Sequence, residues 1–376
     1  MKVLFLTNIP SPYRADFFNE FGKLCDLTVT YEGLTSTERD SHWVGEKAVN
    51  YKPVFLKGKR TKSDQFLCFG IIKLLKRKWD AIIIGNYSSP TSMLAISYMN
   101  LHKIKFVIQA DGGLIPDNEN KIKFLIKKHF ISSAYFWMSS GHYTTDYLAH
   151  YGACKNKCFI YPLTSLWKSD LDRAKEMRQQ SLSSIRNILN IKEDYVVLSV
   201  GRFSYDKGYG KGYDLLLKAA EDLPNNVGIY IVGDEPTDEF VKWKEDKQLN
   251  NVHFIGFKVK EDLMNYYSAA DLFVLMTRAD VWGLVINEAM SFGLPVITTD
   301  KCIAGLELVK DNENGYILPI KQADVLSERI NSLIANRVLM NSFGEQSSIR
   351  IQPYTLENMA QVNYKILENN LEVVKV

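Results

Sequence analysis

Two carboxylates with seven residues between them, Asp280 and Glu288, are the side chains in this sequence best placed to hold a polyhydroxylated ligand. The apolar run 272–276 ahead of them reads as a buried strand, and Ile286, Ala289 and Met290 recur at helical spacing until Gly293 and Pro295 stop the helix. Asp280 therefore precedes a helix and Glu288 lies on it, about five residues past Gly283, which at ~1.5 Å per residue is roughly 7–8 Å. Backbone N–H groups at the helix start, around Gly283, Leu284 and Val285, favour anionic oxygens. Carboxylates accept hydrogen bonds from vicinal hydroxyls. A ligand with phosphate at one end and sugar at the other would use both. Taken alone, the two acids fit a helix cap and a solvated helix residue equally well.

A second group of candidates is cationic. Residues 196–203 read as a strand that breaks into a glycine-bearing loop carrying Arg202 and Lys207, with Lys211 just before a helix over 214–221. Cations on a loop at a strand end can hold a leaving diphosphate, and either lysine could serve. Gly233 ends a further strand, and Gly256 with Phe257 ends another over 252–257. Near the N-terminus, a strand over 3–7 runs into a loop with Ser11, Pro12, Tyr13 and Arg14, where two prolines forbid a regular ladder. Asp111 follows a strand over 105–109. Loops at the carboxyl ends of parallel strands are where such sheets bind ligands.

These residues need a scaffold of alternating strands and helices, and the chain supplies one. Strands are expected over 3–7, 27–31, 80–85, 105–109, 135–139 and 158–161 in the first part, and over 196–203, 228–232, 252–257, 272–276 and 317–319 in the second. Helices are expected over 16–24, 90–100, 141–151, 214–221, 323–333 and 355–371, with a charged helical connector over 168–189. A length of 376 residues suggests two domains, and 46% hydrophobic with 24% charged residues is the composition of a soluble globular protein. No transmembrane run or signal peptide is read, and five cysteines without metal-site spacing fit a reducing cytoplasm. The net charge of +3 is uneven: residues 1–166 hold 22 Lys and Arg against 13 Asp and Glu, a balance of +9, which leaves −6 for the remainder. Lys73, Lys76 and Arg77 lie together beside an apolar helix face, which suits an anionic membrane surface as well as a solvated one.

Residues 280–296 resemble the acid-x7-acid signature of the family-4 retaining glycosyltransferases. Gly283, Leu284, Glu288, Ala289, Met290, Gly293, Pro295 and Val296 all match, while Asp280 stands where the family usually has Glu. Residues 7–14 and the following Phe17 and Phe18 resemble the opening of bacterial capsular and exopolysaccharide glycosyltransferases. Gly201, Arg202, Lys207 and Gly208 resemble the family's diphosphate clamp, although Lys211 and Asp214 match its helix start better. The resemblance implies two Rossmann-like, doubly wound parallel-sheet α/β domains facing across a cleft, the glycosyltransferase B fold. The corresponding boundaries are 1–166 for an acceptor-binding domain, 167–194 for a connector and 195–352 for a nucleotide-sugar domain, with residues 353–376 crossing back to the first domain.

The same resemblance implies retaining transfer of a hexose-type sugar from a nucleotide-diphosphate sugar, UDP ahead of GDP, to a glycan or lipid-linked acceptor. Asp280, Arg202, a lysine at 207 or 211, and Asp111 would act at the reacting sugar. Glu288, Gly283, Leu284, Val285, Gly233, Gly256 and Phe257 would bind the donor, and Ser11, Pro12, Tyr13 and Arg14 would face the acceptor. No cofactor and no metal are expected, since cations and helix amides would neutralise the leaving diphosphate. Nucleic acid is not an expected partner. The expected location is the cytoplasm, on the inner face of the plasma membrane if the basic half docks there. A sugar-nucleotide epimerase of the same architecture and an inactive nucleotide-sugar-binding protein are the other classes left open.

Overall fold

A computed structural model describes residues 1–34, 48–61, 65–320 and 322–370. The chain forms two compact units, one made of Met1–Ser165 with Tyr354–Val376 and the other of Leu166–Pro353.

In the first unit, seven parallel strands, β1 (Lys2–Thr7), β2 (Asp26–Tyr31), β3 (Lys52–Phe55), β4 (Ala81–Ile84), β5 (Val107–Ala110), β6 (Phe136–Ser139) and β7 (Cys158–Ile160), lie in the order β3-β2-β1-β4-β5-β6-β7. Residue pairing such as Val3 with Leu27 and with Ala81 places β1 between β2 and β4. Apolar runs such as the Ala-Ile-Ile-Ile of β4 are buried along their whole length, as strands covered on both faces must be. Leu4, Leu6, Ile82, Ile84 and Ile108 lead the core on one side of this sheet. The two-residue strands Lys59–Arg60 and Phe66–Leu67, which pair antiparallel, were not read from the sequence.

The second unit repeats the plan with six strands. They are β8 (Tyr195–Val200), β9 (Val227–Val232), β10 (Val252–Ile255), β11 (Leu272–Leu275), β12 (Val296–Thr299) and β13 (Gly315–Leu318), in the order β10-β9-β8-β11-β12-β13 and all parallel. In each sheet the winding reverses beside the first strand, between β1 and β4 and between β8 and β11. Such reversals open a crevice at the strand carboxyl ends.

Several expectations shift. The helix expected over 16–24 is Pro12–Phe21, because a proline's fixed φ suits the first turn and its missing N–H would be unused there. Residues 167–194 are not a separate connector. Their helices Lys168–Gln179 and Leu182–Ile188 belong to the second unit, where Arg178 donates to the carbonyls of Ser268 and Ala270, and Arg186 to that of Ala269 and to Asp271. A helix at Lys121–Ile131 went unread. The last helix is Leu356–Asn370, with residue 371 outside the described residues, and it packs on Pro12–Phe21 within the first unit.

Candidate active site

The second unit assembles its candidates at the reversal between β8 and β11. The Lys211 ammonium donates to the Asp280 carboxylate at 2.6 Å, with both side chains mostly buried. Lys211 reaches this point because its stem lies over Gly201, where an added Cβ would come within 3.2 Å of the Lys211 Cγ. Asp280 is fixed through its backbone, whose N–H donates to the Lys301 carbonyl at 2.9 Å, and through Oδ1, which accepts from the Trp282 N–H at 3.3 Å. Gly283 then caps the helix Leu284–Ser291 with φ of +98°, a left-handed conformation glycine adopts without strain. A Cβ there would also stand 2.6 Å from the Cys302 sulfur. Burial, and secondarily the Asp280 charge, push the Cys302 thiol up to about 12. That sulfur is a packing atom under the loop.

One and a half turns along the helix, Glu288 accepts a hydrogen bond from the buried Tyr267 hydroxyl at 2.9 Å. Burial and the adjacent Glu288 carboxylate hold the Tyr267 phenol well above its ordinary value, so it stays a neutral donor. The Glu288 carboxylate is thus oriented by a rigid aromatic while its surface stays partly open.

The cationic loop between β8 and the helix Tyr213–Ala220 is held from three sides. Asp234, directly after Gly233, accepts from the Phe203 N–H and, at 3.0 Å, from the Ser204 N–H. The Gly233 backbone passes so close to Gly201 that a Cβ would meet the Gly201 oxygen at 1.8 Å. Three residues past β11, Arg278 grips both Asp214 oxygens at 2.7 Å and donates to the Tyr209 carbonyl, while its own N–H donates to the Gly210 carbonyl. Arg202 lies exposed at the start of this loop. Lys207 lies exposed on the tight turn Tyr205–Gly208, with φ of +52°. The fold therefore brings Lys211 to Asp280, whereas Lys207 stays on the surface turn. Gly256 and Phe257 lie just past the end of β10, where the Glu235 Oε1 would be 3.0 Å from a Cβ on Gly256, and Phe257 is largely exposed.

The first unit gathers its candidates differently. Arg14, only 3% exposed, sits on the first turn of Pro12–Phe21 and donates to both Asp111 oxygens and to Gln109 Oε1, each at 2.7 Å. Asp111 also accepts from the Tyr13 hydroxyl at 3.0 Å and the Tyr161 hydroxyl at 2.7 Å. Burial, and then Asp111, push the Tyr13 phenol up to about 12. The opening residues are thus not the loop expected: Pro12, Tyr13 and Arg14 are helical, Ser11 is buried, and Arg14 neutralises Asp111. Gln109 continues the network to Asn363 of the last helix at 2.6 Å.

Asp234, Tyr267 and Arg278 were not anticipated. The pairing of Gly233 with a following acid is a signal for the first; nothing local distinguishes Tyr267 from its neighbour Tyr266. Among the described residues no group of three or more His, Cys, Asp or Glu could hold a metal ion, and no helix is long and apolar enough to cross a membrane.

Two doubly wound parallel sheets in one chain, with paired carboxylates at the reversal of the second, are the architecture known as the glycosyltransferase B fold. Residues 183–350 match the family described as glycosyl transferases group 1. The chain is 26% identical over 267 residues to an uncharacterized glycosyltransferase of Haemophilus influenzae, covering 68% of this chain and 74% of that protein. It is likewise 26% identical over 286 residues to an uncharacterized protein of the cps region of Klebsiella pneumoniae, covering 73% and 75%. Its fold matches that of Anabaena Alr3699/HepE in complex with UDP, with a TM-score of 0.77 at 18% identity over 98% of this chain and all of that one. The same protein with UDP-glucose gives a TM-score of 0.72 over 98% and 99% of the two chains. The chain thus resembles the glycosyltransferases of exopolysaccharide assembly, with residues 183–350 matching the group 1 family.

Proposed function

We propose that this chain is a retaining, metal-independent hexosyltransferase that takes a sugar from UDP, ahead of GDP, and passes it to a glycan or lipid-linked acceptor during surface polysaccharide synthesis. The observation that carries this reading is the Lys211–Asp280 ion pair beside the glycine-capped helix that presents Glu288. A nucleoside diphosphate sugar has a part for each group. Its diphosphate would compete for the Lys211 ammonium and lie against the amides around Gly283, Leu284 and Val285, with Arg202 on the same loop. The ribose diol would meet the Glu288 carboxylate. Release of Asp280 from Lys211 would leave its oxygens to accept sugar hydroxyls and to favour positive charge at the ring as the glycosidic bond breaks. With the departing phosphate taking the acceptor proton, the new bond forms on the face the nucleotide leaves. The UDP complexes of the fold relative and the cps-region relative support the donor class and the setting.

The test is UDP binding by calorimetry beside transfer kinetics. Glu288→Gln should weaken UDP severalfold and raise KM more than it lowers kcat, because the ribose contact is equal in ground and transition states. Asp280→Asn should bind UDP as tightly as the parent, or tighter with Lys211 released, and lose roughly 10²–10³ in turnover. Much weaker UDP binding by Asp280→Asn than by Glu288→Gln would reverse the two roles. Full turnover in a metal chelator, and a product that keeps the donor's anomeric configuration by NMR, are the further expected results. Conversion of the donor sugar to its epimer without acceptor would instead indicate an epimerase.

A further inference from the structure

The helix Lys121–Ile131 turns its apolar side the wrong way for a helix in water. Its sequence, Lys-Ile-Lys-Phe-Leu-Ile-Lys-Lys-His-Phe-Ile, contains four lysines and no acid. Phe124, Lys127 and Ile131 face the unit, and only Ile131 is fully buried. Opposite them, Ile122, Leu125 and Ile126, spaced i, i+3 and i+4, form an outward stripe that is 67%, 61% and 42% exposed, with the exposed imidazole of His129 among them. At 100° per residue, Lys121 and Lys128 fall on one flank of this stripe and Lys123 on the other. All three are exposed. Lys127 is used within the unit, paired with Glu119 at 2.7 Å, and so takes no part in the outer face.

The other basic segment of this unit, around Lys73, Lys76 and Arg77, is built in the ordinary way. In Ile71–Leu75 the apolar Ile71, Leu74 and Leu75 are buried, and Lys73, Lys76 and Arg77 lie over them in solvent. That segment offers charge with little apolar surface of its own, the exposed Phe69 just ahead of it standing alone rather than in a stripe. Lys121–Ile131 offers both, in the arrangement of a helix lying in a bilayer interface: an apolar ridge to enter the acyl boundary and ammonium groups on both flanks at headgroup level. The net charge of +9 over residues 1–166 adds long-range attraction in the same sense.

We infer that the exposed face of Lys121–Ile131 is a docking surface for an anionic phospholipid bilayer. A protein groove would also accept the apolar stripe, but the lysines on both flanks and the lack of any acid on the helix complement a uniformly negative plane. The inference does not depend on the sugar-transfer reading, since it rests on a surface of the first unit alone.

Sedimentation of the full chain with vesicles tests it. Phosphatidylcholine vesicles containing phosphatidylglycerol should pellet the protein at low ionic strength, and phosphatidylcholine alone should not. Binding should fall steeply at ~0.5 M salt. Replacing Lys121, Lys123 and Lys128 by Gln together should lower the partition coefficient about a hundredfold, from roughly fivefold per lysine near such a surface. Ile122→Ser with Leu125→Ser and Ile126→Ser should abolish binding while the thermal transition and UDP affinity stay as in the parent. Lys73→Gln, Lys76→Gln and Arg77→Gln together remove the same charge elsewhere and should retain most of the binding. The inference is overturned if the parent fails to bind the anionic vesicles, or if the serine variant binds like the parent. It is equally overturned if the parent is a dimer in solution and the serine variant a monomer, which would make a second copy the occupant.

Discussion

The Lys211 ammonium has two claimants, the Asp280 carboxylate at 2.6 Å and any diphosphate that enters beside it. A residue that exchanges one anion for another during binding should show in turnover. Lys211→Ala should lower turnover by roughly 10²–10³, the scale of one preorganised stabiliser of developing charge, and Lys207→Ala should stay within about threefold of the parent. Steady-state kinetics on the two variants decide the matter, and the opposite ranking would return the clamp to the surface turn. Spacing alone could not separate the lysines, because the three residues between 207 and 211, Gly-Tyr-Gly, permit a turn beside either one. What separates them is the left-handed turn at Asp206 and Lys207 and the stem of Lys211 running over Gly201. Asp280 and Glu288 were legible because strand, glycine and helix signals are local. Tyr267, which orients Glu288, comes from another helix, and its role depends on a packing distance no sequence pattern contains.

At the level of elements, the site loop owes its shape to backbone contacts that exclude side chains. Gly212 has φ of +74°, and a Cβ on it would lie 1.9 Å from the Met276 carbonyl oxygen, a backbone atom that cannot step aside. Gly212→Ala should therefore lower the thermal transition by an amount equivalent to roughly 2–4 kcal/mol and disturb Lys211 with it. Gly70→Ala is the control, since its Cβ would meet only a Leu56 methyl at ordinary contact distance. Differential scanning calorimetry on both should separate them clearly, and equal transitions would remove the steric argument. Most strands were readable as elements because parallel sheets demand uninterrupted apolar runs; β3, a largely exposed Lys-Pro-Val-Phe, and the short β12 directly after Pro295 were not. Lys121–Ile131 was unreadable for the converse reason: with apolar residues on both its inner and outer sides, no single face stands out against the polar remainder.

On the scale of the whole molecule, one buried acid gives stability a pH dependence. Glu32, 1% exposed just beyond β2, accepts from Ser89 at 2.5 Å and Ser92 at 3.1 Å, yet burial lifts its carboxyl from the usual 4.5 to about 7. Between those values the unfolded chain has released the proton and the folded chain still holds it. Stability therefore falls as pH rises through that interval, by up to about 3 kcal/mol, and levels off above it. Glu32→Gln should flatten this slope and raise stability at pH 8, as read from urea unfolding across pH; an unchanged slope would place the titration elsewhere. The two-unit plan itself was legible from the alternation of strands and helices, but the exchange of Arg14, Asp111, Gln109 and Asn363 joins residues hundreds of positions apart and leaves no local trace. That long-range closure bears on synthesis. The first unit is finished only by Leu356–Asn370, so during translation its sheet must wait, unsealed against Pro12–Phe21, while the entire second unit is made and can fold. A ribosome stalled anywhere between residues 165 and 355 would present chaperones and proteases with a finished or growing second unit tethered to an open first one.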